Sequence, residues 1–266
     1  MKLAFIVPTA YVAKFGGSSD FTLALSHLMD KREENDYEKA ITELGKPIVM
    51  DNGLFENGVP ESIEDVLVKA VRVGATHFFA PDVLYDTEAT YLEVDRAIRR
   101  SKDLKIKMGA VVQADNVKDY IQQLLVFNAN KHIDLIGISI LAVPKSYEEQ
   151  SGKFDVTESR LALLKEMIKL SERGVVWKDC HLLGLGDSYA DVIYARDNCP
   201  WVVSNDTSCC FQSGLFGQEL EGELLEVPGG KIQTKVDFDQ ENIDVASEYR
   251  IINNFNKVIT TIKDDN

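Results

Sequence analysis

A (β/α)8 TIM barrel folded as a single domain is the architecture this sequence predicts, on three observations. Short apolar runs alternate with amphipathic stretches along nearly the whole chain. The runs are apolar at consecutive positions, as strands of a parallel sheet covered by helices must be. The 266 residues match the length that eight such units need. An open doubly wound sheet is the rival arrangement.

In chain order, strand runs fall at 2–8 (KLAFIVP), 47–51 (PIVMD), 77–82 (HFFAPD), 107–113 (KMGAVVQ), 134–140 (DLIGISI), 181–186 (HLLGLG) and 201–206 (WVVSND). An eighth strand is expected at 231–237 (KIQTKVD), before a long terminal helix. The first run has a single Lys and lacks a small-residue cleavage site, so it reads as a strand and not as a leader. Gly16-Gly17-Ser18-Ser19 reads as a turn, with Asp20 capping a helix that starts at Phe21 and carries His27 on an apolar face with Leu23, Leu25 and Leu28. Residues 60–73 open with Pro60, Glu61 and Ser62, place Ile63, Val66, Leu67, Ala70 and Val71 on one stripe, and stop at Gly74. Helical spacing recurs at 87–102, 115–128, 157–173, 188–197 and 239–263, with Asp115, Thr157 and Asp187 or Ser188 as caps. Segment 214–230 reads as an insertion, long enough to form a loop over the barrel mouth.

Composition excludes several functions. Lys and Arg number 29 against 43 Asp and Glu, a net charge of −14 that repels a polyanion unless a local basic patch overrides it. No apolar stretch reaches the roughly 18 residues of a membrane span. No G-x-G-x-x-G follows the first strand and no G-x-x-x-x-G-K-[ST] occurs, so neither common nucleotide loop is present. Cys180, Cys199, Cys209 and Cys210 lack C-x-x-C spacing; with His181 they match no zinc arrangement. A reducing cytoplasmic location is expected, the host's if a virus encodes the chain, with no metal and no cofactor.

The polar residues gather at one rim. In a parallel barrel every strand's carboxyl end points the same way, and sites are built there. The runs end in Asp51, Asp82, Gln113, Ser139, the stretch Gly184 to Gly186, and Asp206. One Asp in such a place is commonly a helix cap or a turn residue; three after successive apolar runs favour chemistry. Carboxylates sharing an apolar floor push their pKa values apart, so that one stays ionised while another carries a proton. That division suits substitution at an anomeric carbon. Gln113 and Asp82 offer the donors and acceptors that read a purine-like edge, and Gly184-Leu185-Gly186 lets a flat ring approach the backbone.

The succession Met50-Asp51-Asn52-Gly53-Leu54-Phe55, Pro81-Asp82, Val112-Gln113, His181-Leu182-Leu183-Gly184-Leu185-Gly186 and Asn205-Asp206-Thr207-Ser208 resembles the tRNA-guanine transglycosylase superfamily over residues 47–210. The resemblance implies that Asp206 attacks the sugar C1′ and holds the nucleic acid covalently while guanine departs. It implies further that Asp51 is the general acid/base and that Phe55 stacks on the base. Asp82 and Gln113 would recognise the base edge, with Gly184, Leu185 and Gly186 as the backbone element. Leu54, Glu56 and Ala114-Asp115 depart from the family pattern, and the family's C-terminal zinc module is absent. The short, zinc-less pattern is similar to the branch that places 7-deazaguanines in DNA, viral genomes included. DNA is therefore the first expected partner and tRNA the second, with a base such as 7-cyano-7-deazaguanine incoming. A basic helper protein would offset the acidity, and a homodimer is a further possible assembly.

Residues 96–107 carry six basic side chains against Asp103, either a solvated helix face or a phosphate contact. Lys14, Lys145, Lys153 and Arg160 are better placed to meet phosphates, whereas 219–248 holds nine acidic residues and two lysines. His27, His77, His132 and His181 read as structural; His181 begins its run, at the rim away from the site. A glycoside or nucleoside hydrolase on the same barrel, and a catalytically silent partner subunit, are the other readings.

Overall fold

The structure, a computed structural model, describes residues 1–30, 33–230 and 235–263. Its centre is eight parallel strands: β1 Lys2–Phe5, β2 Thr22–Leu25, β3 Ile48–Asp51, β4 His77–Phe79, β5 Lys107–Val111, β6 Leu135–Ser139, β7 Asp179–Leu183 and β8 Val202–Thr207. They are hydrogen-bonded in the order β1-β8-β7-β6-β5-β4-β3-β2, with helices intervening along the chain, the topology of a (β/α)8 barrel.

The two ends of that order, β1 and β2, are joined differently. The Leu3 amide donates to Asp20 Oδ2 at 2.8 Å, the Asp20 amide returns a bond to the Leu3 carbonyl at 2.7 Å, and the Phe5 amide donates to Ser19 Oγ at 2.9 Å. Lys263 holds Asp20 Oδ1 at 2.8 Å from the far end of the terminal helix. Asp20 therefore closes a barrel seam and does not cap a helix. The helix expected from Phe21 is β2, and His27 lies in the 3-10 turn Ser26–Leu28 beyond it. Leu23, Leu25 and Leu28 fit a helical stripe and a strand equally well; pairing with β3, which buries Leu23, Ala24 and Leu25 together, decides the matter. The strand expected at 231–237 is not found as such. Residues 231–234 lie outside the described residues, and 235–237 are not strand.

Helices stand close to where spacing places them: Ile63–Arg72, Thr87–Ser101, Val117–Ala129, Val156–Glu172, Ala190–Asn198 and Val245–Lys263, the last starting at Val245 and not at 239. Ser62, Asp86, Asn116 and Asp155 cap the first four through side-chain oxygens. Asn116 and Asp155, not Asp115 and Thr157, are thus the caps. In these two the capping oxygen is the one that reaches the amide three positions on, while Ala190–Asn198 has Tyr189 at its N-cap without a side-chain cap bond, and Ser188 Oγ accepts the Ala190 amide at 3.3 Å. Among the described residues, five further α-helices are not anticipated by the spacing: Asp36–Glu43 behind an Asn35–Glu38 capping box, Ala142–Ser151, Cys209–Leu215, and the one-turn helices Val12–Phe15 and Leu54–Asn57.

Inside the barrel, Phe79 fills the middle. A Cβ at Gly109 would stand 2.7 Å from its ring; one at Gly137 would press on Val111 Cγ2 at 2.9 Å, Leu183 Cδ1 at 3.0 Å and the Phe79 ring at 3.2 Å, so both glycines leave room where that ring packs. Outside, helix Cys209–Leu215 crosses the terminal helix at Gly214, where a Cβ would meet the Ile251 amide nitrogen at 2.6 Å. Segment 214–230 packs into this junction and does not hang free. Leu220, Leu225 and Val227 are buried, Asn254 accepts from the Leu220 amide at 2.9 Å, and the Val227 amide reaches the Asp187 carbonyl at 3.0 Å.

Asp20→Ala should orphan the Leu3 amide and release Lys263, at a cost of about 1–3 kcal/mol. The measurement is the urea midpoint, which should fall at unchanged slope; a midpoint equal to that of the parent chain would mean the seam closes without this carboxylate.

Candidate active site

Four of the expected side chains converge at the carboxyl-end rim. Asp51 is the last residue of β3 and Asp206 the penultimate residue of β8, while Asp82 and Gln113 follow β4 and β5. Asp82, Gln113 and Asp206 are buried and Asp51 partly so.

Asp82 sits between two amides. Asn52 Nδ2 donates to its Oδ1 at 2.6 Å and Gln113 Nε2 to its Oδ2 at 2.5 Å. Neither amide is free to turn over. Asn52 Oδ1 accepts the Leu54 amide at 3.0 Å, and Gln113 Oε1 accepts the Tyr85 amide at 3.2 Å. Both NH2 groups are thereby aimed at Asp82, an arrangement that favours the carboxylate. Burial opposes it and prevails, and with the nearby Asp51 charge the carboxyl is pushed up to about 7. The Gln113 main chain is fixed as well: its amide donates to Gln123 Oε1 at 2.6 Å and its carbonyl accepts from Thr87 Oγ1 at 2.9 Å.

Asp206 is held from below and beside. His181 Nε2 lies 2.9 Å from its Oδ1, and the Gly184 amide donates to the same oxygen at 3.2 Å. His181 Nδ1 meets Ser204 Oγ at 2.8 Å, and the Phe21 and Phe79 rings flank the imidazole. This corrects the placement of His181. Its strand begins at Asp179, two residues earlier than the apolar run, so His181 sits mid-strand in register with Ser204 and its ring lies in the barrel interior. Lys178 and Asp179 disguise that start as loop.

Asp51 differs from Asp206 in its surroundings. The Gly53 amide donates to its Oδ2 at 2.8 Å. Burial raises its carboxyl to about 6; the Gly53 and Asn52 amides and His181 work against the rise, and the Asp206 charge adds to it. Glu56, on the one-turn helix Leu54–Asn57, is raised by burial and by the Asp51 charge to about 8. Phe55 on the same turn is 43% exposed, with Lys235 Nζ 5.8 Å from its ring centroid and donating to the Phe55 and Glu56 carbonyls at 3.3 and 2.7 Å. Ser139 turns back to accept the Leu141 amide at 3.0 Å.

The backbone element is built from inside. The Gly184 carbonyl accepts from Arg160 Nη1 and Nη2, each at 3.1 Å, and from Asn205 Nδ2 at 3.0 Å. Arg160 is wholly buried and paired with Asp191. It is therefore a brace for the 183–184 turn and not a phosphate contact, because a guanidinium with no exposed surface cannot meet solvent-borne anions. Gly184 has a φ of 70°, Leu185 is buried, and a Cβ at Gly186 would press on Thr157 Oγ1 at 2.6 Å. The three expected lysines are engaged too: Lys14 with Glu248 at 2.6 Å, Lys145 with Glu148 at 2.8 Å, and Lys153 with Glu158 at 2.8 Å. Arg96, Arg99 and Arg100 pair with Glu93, Asp95 and Glu64, on a helix that ends at the opposite rim.

All four cysteines are buried thiols, and among the described residues no three His, Cys, Asp or Glu side chains meet as metal ligands. A cleft of about 670 Å3 lies on the flank, between residues 220–225 and the terminal helix, and contains none of the rim residues. No described helix is long and apolar enough to cross a membrane. No protein-family model and no curated protein matches the chain.

Asp51→Asn tests the electrostatics. A carboxyl raised in the folded state binds its proton more tightly there than when unfolded, so it costs stability as pH rises from about 4 through 6. The parent chain should lose on the order of 1–3 kcal/mol more than the variant across that window. Parallel stability curves would show that Asp51 titrates as an ordinary carboxyl.

Proposed function

We propose that this rim carries out base exchange on nucleic acid, replacing guanine with a 7-deazaguanine through a covalent aspartyl intermediate. The observation that supports it most directly is the inequivalence of two rim carboxyls. Asp206 Oδ1 accepts from His181 and the Gly184 amide, which stabilises an anion and leaves Oδ2 for a bond to carbon. Asp51 sits near 6, where a group both gives and takes protons at neutral pH.

In this reading Asp206 Oδ2 attacks C1′ as the bond to the purine breaks, and Asp51 manages the proton of the departing base. The new base then loses its N9 proton to Asp51 and displaces Asp206. Asp82, fixed by Asn52 and Gln113, keeps spare lone pairs for the base edge, while Phe55 supplies an exposed ring for stacking. DNA is the first substrate proposed and tRNA the second. Phosphates would have to compete with Glu248, Glu148 and Glu158 for Lys14, Lys145 and Lys153, so binding should weaken steeply with salt. A basic helper protein fits the same need, whereas a homodimer would have to serve by shape and not by charge.

Guanine-labelled DNA and tRNA, each incubated with and without 7-cyano-7-deazaguanine, decide between readings. Release that requires the added base supports exchange; release without it means hydrolysis on the same barrel, and no release with either nucleic acid fits a silent subunit. Asp206→Ala should cut the rate by a factor on the order of 10⁴ or more and abolish the trapped adduct. A fully active variant would remove Asp206 as nucleophile.

A further inference from the structure

Among the described residues, three buried polar atoms on the β2–β3 side of the mouth have no hydrogen-bond partner: Ser26 Oγ, His27 Nδ1 and Glu56 Oε2. They lie together. His27 Nδ1 is 3.9 Å from Glu56 Oε2, and Ser26 Oγ is 3.2 Å from where a Cβ would stand on Gly53, at the head of the turn that carries Glu56. Buried polar atoms are ordinarily satisfied, and a group of orphans beside a reactive centre calls for an explanation.

The cations around Glu56 are committed elsewhere. Lys235 spends its ammonium on the Phe55 and Glu56 carbonyls. Lys69 spends its own on both oxygens of Glu61 and on the Ser26 carbonyl. Burial lowers the His27 pKa, so that ring favours its neutral form. Facing these are the Asp51 and Asp206 charges and the Tyr37 phenol, itself raised by burial. Burial and the Asp51 and Asp206 charges outweigh what the Glu56 backbone amide and the Lys235 charge offer an anion there, so a neutral acid fits.

Glu56 is tied to Asp51 through one turn. The Gly53 amide that holds Asp51 Oδ2 is the N-terminal residue of the helix Leu54–Asn57. Resting on the base-exchange reading, we propose that Glu56 is a positioning residue that stores the proton Asp51 gives to the departing base and takes it back after the new base is installed.

The steps balance. At rest Asp51 and Asp206 are anionic and Glu56 is neutral, two negative charges in all. When Asp206 Oδ2 bonds to C1′ and the C1′–N9 electron pair leaves with the purine, the Glu56 proton passes through Asp51 to that purine. Asp206 is then a neutral ester and Asp51 and Glu56 are the two anions. The incoming base gives its N9 proton to Asp51 as its nitrogen bonds to C1′, the C1′–O electron pair returns to Asp206, and the proton moves on to Glu56. The charge stays at two throughout. Esterification also removes the Asp206 charge, one of the influences that hold the Glu56 proton on, when that proton is required.

Glu56→Gln keeps the shape and removes the store. In the parent chain the exchange rate should fall on the alkaline side near pH 8, where Glu56 ionises. In Glu56→Gln that limb should disappear or move by more than about one pH unit, with a rate near pH 7 lowered roughly tenfold or more and an unchanged melting midpoint. An independent readout is the parent-minus-variant infrared difference at pH 7, which should hold one neutral-carboxyl band beyond the contribution that Asp82 makes to both. An active variant with an unmoved limb, or a parent in which Glu56 is ionised at pH 7, would overturn the proposal. A parent that carries the band yet exchanges no base would overturn the exchange reading, and the turnover role with it.

Discussion

The hydrogen bond between His181 Nε2 and Asp206 Oδ1 ties the packed interior of this barrel to its mouth. Below it, Ser204, Phe21 and Phe79 fix the imidazole; above it, one oxygen of Asp206 is fixed in turn. A carboxylate this deeply buried needs donors, and it receives one from a side chain and one from the Gly184 amide. The glycines at 109 and 137 belong to the same arrangement, since the ring they admit is a wall of the histidine's niche.

Around that axis the rim is built by constraint. Asn52 and Gln113 are each held by a backbone amide, so their donors have one direction to face. Arg160 braces the turn after β7 through carbonyls, with its charge offset by Asp191 inside the protein. Such pairs add little net stability over apolar packing, and removing one partner is costly; what they supply here is geometry. The outcome is several carboxyls in one region with distinct proton affinities, raised first by burial and then adjusted by the donors and neighbouring charges each one meets.

Much of this was legible in the sequence. Seven strand runs, their alternation with helices, and Asp51, Asp82, Gln113 and Asp206 at the run ends required only apolar periodicity and the parallel-barrel rule. The failures have physical causes. β2 is four residues long, its Leu23 and Leu25 join Leu28 beyond it in what reads as a helical stripe, and its identity comes from β3, which lies far along the chain. His181 was misplaced because β7 starts with charged residues at the solvent-facing end. Arg160 looked like a phosphate contact because charge in a sequence carries no burial; Asp191, thirty-one residues on, neutralises it. Asn52 was visible as a neighbour of Asp51, but its hold on Asp82 depends on a crossing between two loops.

One feature of the barrel wall reaches beyond the mouth. Elsewhere neighbouring strands are laced by peptide groups, which neither gain nor lose protons in the physiological range. Between β1 and β2 the lacing passes through a carboxylate, a hydroxyl and an ammonium at Asp20, Ser19 and Lys263. The roundness of the cylinder is therefore set at one line by ionisable chemistry. Losing the charge on Asp20 or Lys263 would loosen that line, where side chains take over from the strand ladder, making it a natural place for the cylinder to part.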